Sequence, residues 1–105
     1  MSIVFEDLHD DPPVRGFLHE PTNPSGHGAV LTHGAGGDCR SKLLVAVSDA
    51  LADLGLTVLR FDLPFRIARR FGPPFRGSAE RDRNGLRRAA AIMRDQVAPP
   101  SAEKK

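Results

Sequence analysis

The amino-acid sequence predicts an α/β fold, with a sheet of about four strands, the last two parallel, and two main helices. Short apolar segments bounded by turn-forming residues indicate strands, and two longer segments repeat their apolar residues with the period of a helix. The 105 residues, 40% of them hydrophobic, suffice for one core. We therefore predict that residues 1–97 form the N-terminal part of one domain, and that the polar, proline-broken residues 98–105 form a disordered tail.

The first element is a predicted β-hairpin. Residues 3–5 and residues 14–18 are short apolar segments on either side of the breaker Asp10-Asp11-Pro12-Pro13. Two strands joined by such a turn pair in antiparallel fashion.

The next predicted element is a β-α-β unit. Residues 29–32 form a continuous apolar run, typical of a strand buried on both faces, and residues 56–61 form a second one. Between them we expect a helix capped by Asp38 or Ser41 and ended by Gly55 in a left-handed conformation. The order of these elements implies a parallel pair with a right-handed crossover. The predicted apolar face of the helix consists of Leu44, Val47, Leu51 and Leu54.

The remaining chain predicts a loop and a second helix. Residues 64–79 are rich in proline and glycine and are expected to hold no regular structure. Residues 80–97 then predict a helix with most of its arginines opposite the apolar face. That apolar face is expected to consist of Leu86, Ala90, Met93 and Val97.

Charge is divided unevenly along the chain. Residues 1–59 carry a net charge of −5, whereas residues 60–94 carry ten arginines and a net charge of +7. A basic face of this kind suggests an alternative function as a nucleic-acid or protein-interaction module. We do not expect nucleic acid as the partner, because few aromatic residues are interleaved for stacking. The arginines of the predicted helix are Arg81, Arg83, Arg87, Arg88 and Arg94.

Composition also predicts a compartment. The single cysteine, Cys39, excludes an intrachain disulfide, and the first residues resemble no secretion signal. The longest aliphatic run, residues 43–47, is far shorter than the roughly 20 residues of a membrane span. We therefore expect a cytoplasmic protein without membrane contact.

A glycine-rich segment follows the predicted strand at residues 29–32. The segment His33-Gly34-Ala35-Gly36-Gly37-Asp38 places backbone N–H groups near a helix N-terminus, where an anion or a developing oxyanion is stabilised. We expect its glycines to permit close approach of a substrate carbonyl and unusual φ angles. The alternative is that they only form a tight turn.

This segment, a helix and then Arg60-Phe61-Asp62-Leu63-Pro64 together resemble the opening of an α/β-hydrolase. The similarity is greatest to the dienelactone-hydrolase-like branch with the KANL/Tex proteins, and it covers residues 14–97. The resemblance implies that residues 33–37 form the oxyanion loop, with the N–H of Ala35, together with that of Gly36, directed at the substrate oxygen. It also implies ester or acyl substrates. His33 is expected to shape the loop rather than act as the general base. The implied oxyanion-loop residues are His33, Gly34, Ala35, Gly36 and Gly37.

The catalytic residues of that family are not found in the sequence. The family's nucleophile lies in a Gly-x-Ser-x-Gly turn, followed by an acid and a histidine, and the sequence contains no such pentapeptide. We therefore expect no hydrolysis by the chain alone. A truncated reading frame, a pseudoenzyme and one half of a split enzyme all agree with the sequence. The family's strand order would leave residues 29–32 at a sheet edge, so self-association or a complementing chain is expected there.

Three other kinds of site are considered and not favoured. A nucleotide site would need a final glycine where Cys39 stands, so no cofactor is expected. Cys39 itself lies near a helix N-terminus and Arg40, which would lower a thiol pKa, but no base accompanies it. The histidines and neighbouring acids lack metal-ligand spacing, so no metal is expected. The residues concerned are His9, Asp10, Asp11, His19, His27 and His33.

Overall fold

Four strands form one mixed sheet in the computed structural model, which describes residues 2–97, 99 and 100. They are β1 (Ser2–Asp7), β2 (Val14–His19), β3 (Gly28–Leu31) and β4 (Thr57–Phe61), in the spatial order β1-β2-β4-β3. β2 pairs with β1 and β4 in antiparallel fashion, whereas β3 and β4 are parallel. These pairings confirm the α/β class, the hairpin and the β-α-β unit. They also confirm that β3 lies at an edge.

Two long helices cover opposite faces of the sheet. α1 (Lys42–Asp53) packs on β4 and β2, and a later helix, α3 (Ala79–Gln96), packs on β3, β4 and β2. α1 begins where Ser41 Oγ accepts the Leu44 N–H at 3.1 Å, and it is followed by Gly55 with φ of +98°. Of the two candidate N-terminal caps, Ser41 is the one observed, whereas Asp38 accepts the Arg40 N–H at 2.8 Å; Gly55 follows the helix end as predicted. The predicted disordered tail lies, apart from Pro99 and Pro100, outside the described residues.

The prediction of a loop throughout residues 64–79 is wrong at its beginning. Pro64–Ala68 forms a short helix, α2. Proline suits the first helical position, because its φ is already helical and the N–H that it lacks would have no intrahelical acceptor. The next N–H, of Phe65, donates to Asp82 Oδ1 of α3 at 3.0 Å. This contact with α3 stabilises the start of α2.

The buried face of α3 is rotated from the predicted one. Gly85, Ala89 and Met93 are buried, Ala89 and Met93 in the core and Gly85 against Pro64 of α2, whereas Leu86 and Ala90 are exposed. The reason is the close approach of α3 to α2: a Cβ at Gly85 would lie 2.7 Å from Pro64 Cδ. Small residues therefore occupy this contact. The face of α3 that hydrophobicity alone predicts is consequently rotated from the face that is buried.

The predicted apolar face of α1 is also wrong in part. The helix approaches the sheet through Ser48, which is fully buried, so the surface of α1 farther from the sheet carries exposed apolar residues. Leu54 is 73% exposed, although it was expected to face the core. We name the exposed apolar residues the α1 stripe; they are Leu43, Val47 and Leu54.

The hydrophobic core lies between the sheet and α3. Its largest member, Phe61 of β4, is 1% exposed. β2 and β4 approach closely at Gly16, which is paired with Phe61. The other buried members are Val14, Leu18, Leu59, Ala89 and Met93. Within the described residues, no helix is long and apolar enough to cross a bilayer.

The uneven charge of the sequence is partly neutralised in the fold. Arg88 of α3 lies 3.1 Å from Asp7 and 3.5 Å from Asp10, at the turn between β1 and β2. Arg81 lies 2.7 Å from Asp11, and its hydrogen bond lowers the pKa of that carboxyl. The acidic first half of the chain thus pairs with the basic second half. This pairing reduces the positive surface on which a nucleic-acid site would depend.

Candidate functional site

All residues of the implied oxyanion loop lie in one connection between β3 and α1. We call residues 33–38 the glycine loop. Inside it the Gly37 N–H donates to Gly34 O at 3.2 Å, and beyond it the Ser41 N–H donates to Asp38 O at 3.3 Å. The loop follows the carboxyl end of β3 and leads to the N-terminus of α1. This is the strand-turn-helix arrangement that the sequence predicts.

The glycines of this loop are not required by the backbone. The expectation of unusual φ angles is wrong for Gly34, Gly36 and Gly37, because the positive φ angles of the described glycines occur elsewhere in the chain. A Cβ at Gly34 or Gly36 would meet no atom within 4 Å. Neither conformation nor packing of the chain therefore demands glycine at these two positions. The glycines with positive φ are Gly26, Gly55, Gly72 and Gly77.

Several N–H groups of the loop have no acceptor. Among the described residues, the backbone N–H groups of Ala35, Gly36 and Asp38 make no hydrogen bond. Unpaired N–H groups before a helix N-terminus attract negative charge. The loop can therefore accept an anion without breaking a bond of its own.

His33 connects the loop to the segment after β4. Its Nδ1 lies 2.8 Å from Gly34 O, and its Nε2 accepts the Leu63 N–H at 3.1 Å. Because an N–H can only donate, Nε2 carries no proton and the neutral ring is protonated at Nδ1. Both nitrogens are thus occupied by backbone groups. These contacts support the interpretation of His33 as a residue that shapes the loop.

The segment that carries the second motif holds the end of the loop. The Cys39 N–H donates to Asp62 Oδ1 at 2.8 Å, and Cys39 O accepts from Arg60 Nη1 at 2.8 Å. Arg60 is buried, and its guanidinium lies 4.2 Å from the centre of the Phe17 ring. These roles of Arg60 and Asp62 were not predicted from the sequence. A charged residue inside the apolar run at residues 56–61 was the available signal, since buried charges need partners.

Arg60 also holds a buried histidine of β2. Its Nε donates to His19 Nε2 at 2.8 Å, so the neutral His19 is protonated at Nδ1. Burial and the nearby Arg60 charge lower the pKa of His19. Asp49 of α1 lies 3.1 Å from Nδ1, but it does not have the alignment of a hydrogen bond. This cluster connects the sheet to α1 and to the loop, and it leaves His19 no contact with solvent.

Arg66 of α2 holds the middle of the loop. Its guanidinium donates to Ala35 O at 2.9 Å and to Gly37 O at 2.8 Å. It also donates to Arg69 O at 3.1 Å and to Gly72 O at 3.0 Å. The side chain is 5% exposed and lies 4.8 Å from the centre of the Phe65 ring. From the sequence, Arg66 was identified only as one of the ten arginines of residues 60–94.

The environment of Cys39 argues against a thiol nucleophile. The residue is 2% exposed, and burial, followed by the effect of Asp62, raises the pKa of its thiol to about 12. A nucleophilic thiol needs the opposite shift and access to solvent. From the sequence, the nearby helix N-terminus and Arg40 were expected to favour a low pKa of the Cys39 thiol. In the structure, desolvation of the thiol outweighs both effects.

Two open cavities border the glycine loop. One, of about 550 Å³, lies between the loop and residues 70–73 and is also lined by Arg66. The other, of about 480 Å³, lies between the loop end and the β1-β2 hairpin, where Arg15, Phe17 and Arg70 contribute to its wall. The loop is therefore accessible to a small molecule.

Solved structures share this fold. An α/β serine hydrolase without lid from Xanthomonas campestris superimposes with a TM-score of 0.71 and 22% identity, over 94% of this chain and 47% of the hydrolase. A thermostable carboxyl esterase from Bacillus coagulans, solved with glycerol, gives a TM-score of 0.53 and 13% identity, over 94% of this chain and 34% of the esterase.

The sequence comparisons add no family. No protein-family model matches the chain, and no curated protein is significantly similar to it. The chain spans about half the length of the serine hydrolase and a third of the esterase. Its strand order, its parallel β3-β4 pair and these two superpositions show that the chain has an α/β-hydrolase-type fold.

Proposed function

We propose that this chain forms part of an ester or acyl hydrolase similar to the dienelactone-hydrolase-like branch, and that the glycine loop is its oxyanion-binding element. One observation carries the proposal. The loop exposes unpaired N–H groups beside Gly34 and Gly36, two glycines that the fold itself does not require. Positions without a side chain, where none of the described residues fills the space, suit a loop that a substrate approaches.

The chemistry of acyl transfer explains why such a loop is useful. Attack on an ester carbonyl places negative charge on its oxygen, and fixed N–H groups stabilise that charge more than they stabilise the neutral substrate. The contacts of His33, Arg66 and Asp62 hold the loop before any ligand binds. The donors therefore need little reorganisation when charge develops.

The second part of the proposal is that the chain alone does not hydrolyse esters. Its 105 residues contain no Gly-x-Ser-x-Gly turn, both His33 nitrogens contact backbone groups, and Cys39 is buried. A nucleophile and a base must then come from other polypeptide sequence. The oxyanion loop by itself supplies charge stabilisation but neither covalent attack nor proton transfer.

Titration with an oxyanion tests the loop. We expect phenylphosphonate to shift the backbone amide NMR signals of Ala35, Gly36 and Asp38 in the 15N-labelled chain. In Gly36→Ala a methyl group occupies the open space and obstructs the approach of the phosphonate to the loop N–H groups. We expect the affinity for phenylphosphonate to fall about tenfold or more, because a hydrogen bond to a charged group contributes roughly 1.5–3 kcal/mol. Shifts confined to surface arginines would contradict the proposal.

The expected inactivity of the chain is tested with a p-nitrophenyl ester. Turnover of this ester by the purified chain would contradict its inactivity.

We further propose that the free edge of β3 pairs with an added strand, from a second copy or a complementing chain. An unpaired edge offers a row of backbone donors and acceptors, and the exposed α1 stripe offers apolar surface on the same β-α-β unit. Sedimentation at increasing concentration should show self-association, and Leu54→Glu should weaken it without unfolding the chain. If the chain is a monomer at all concentrations, a second copy is excluded as the source of the added strand. The complementing chain is then tested by adding the second half of a related hydrolase.

A further inference from the structure

Arg66 has an unusual set of partners for a buried arginine. All four of its hydrogen bonds go to backbone carbonyls, two in the glycine loop and two in the segment after α2. Among the described residues, no carboxylate forms an ion pair with it. Its charge is therefore not cancelled by an acidic partner, as that of a buried arginine usually is. The positive charge lies directly behind the loop.

The direction of the loop's N–H groups follows from these bonds. In a trans peptide the C=O of one residue and the N–H of the next point in opposite directions. Since Ala35 O and Gly37 O both face Arg66, the N–H groups of Gly36 and Asp38 point away from it. These are two of the loop's unpaired donors. The His33 contact with Gly34 O orients the third, Ala35 N–H, by the same rule.

We propose that Arg66 is a positioning residue of the oxyanion loop, which turns the Gly36 and Asp38 N–H groups to the side opposite α2 and adds a fixed positive charge behind them. This inference rests on the proposed function of the loop.

This role requires the two separate donor nitrogens of a guanidinium group. Arg66 reaches Ala35 O and Gly37 O simultaneously through Nη2 and Nε, and a lysine ammonium has one nitrogen for both. Arg66→Lys therefore keeps the charge and loses the two-point contact. Arg69→Lys is the matched control: Arg69 donates to Pro73 O at 3.0 Å from an exposed position and makes no bond to the loop.

The test measures N–H orientation and anion affinity separately. In Arg66→Lys we expect the residual dipolar couplings of the Gly36 and Asp38 amides to change while those of β4 do not, and phenylphosphonate affinity to fall about tenfold, as for one lost charge-assisted contact. Arg69→Lys should alter neither. Arg66→Gln, which keeps two donors without the charge, serves as the second variant if Arg66→Lys does not fold.

The outcomes distinguish this inference from the proposed function. Unchanged couplings, or changed couplings with unchanged affinity, would overturn the positioning role while the loop still binds the phosphonate. Couplings that change equally throughout β4 would also overturn it, in favour of a general structural role. If the unmodified chain does not bind phenylphosphonate, the proposed function fails, and the couplings alone decide whether Arg66 orients the loop.

Discussion

Gly16→Ala is expected to lower the free energy of unfolding by at least about 3 kcal/mol, the upper end of typical overpacking costs. A Cβ at Gly16 would lie 2.0 Å from Arg60 O and 2.6 Å from Phe61 Cα, both backbone atoms of the central strand. Neither can move without separating β2 from β4. In a domain whose total stability is of order 5–15 kcal/mol, this loss should move the unfolding transition to a much lower urea concentration. Urea denaturation followed by circular dichroism measures this change.

Gly36→Ala provides the control for that substitution. The added methyl group is the same, but it meets no atom within 4 Å and the φ angle there is not positive. We expect its stability to equal or slightly exceed that of the unmodified chain, because alanine reduces the entropy of the unfolded state. A Gly16→Ala protein as stable as Gly36→Ala would show that the β2-β4 approach is wider than described.

Phe61→Ala is expected to cost about 3–5 kcal/mol, the range for removing a fully buried aromatic ring. Phe61 is 1% exposed and packs in the core between β4 and α3. Its loss leaves a cavity in the core among Leu59, Ala89 and Met93. The same denaturation experiment should therefore show a much lower midpoint.

The matched substitution is Phe71→Ala. Phe71 belongs to the segment after α2 and is 80% exposed, so its removal should change stability by no more than about 0.5 kcal/mol. Equal losses for the two variants would argue that the described core is not the stabilising one.

Local patterns were sufficient for most of the fold. Short apolar runs and turn residues predicted the four strands, the hairpin and the parallel pair, and Gly55 with either Asp38 or Ser41 predicted the limits of α1. They failed where packing was decided by small residues. Gly85 and Ser48 are buried whereas Leu86 and Leu54 are exposed, because close approach between elements favours small side chains over hydrophobic ones.

The candidate site could likewise be predicted from the sequence only in part. The glycine loop could be located from sequence, because a glycine-rich turn between a strand and a helix is a local signal. The side-chain contacts that hold the loop could not be predicted from the sequence. Arg60, Asp62 and Arg66 reach the loop from residues 21 to 31 positions away, and a linear pattern does not show which carbonyl a distant guanidinium contacts.

The sequence by itself determined the order and type of the main elements and the place of the loop, because periodicity and turn chemistry act between near neighbours. The tertiary structure alone decided which glycines are free, which N–H groups are unpaired and which way they face. Those properties depend on the space and the hydrogen-bond partners that distant segments supply once β4 and α2 have packed beside the loop.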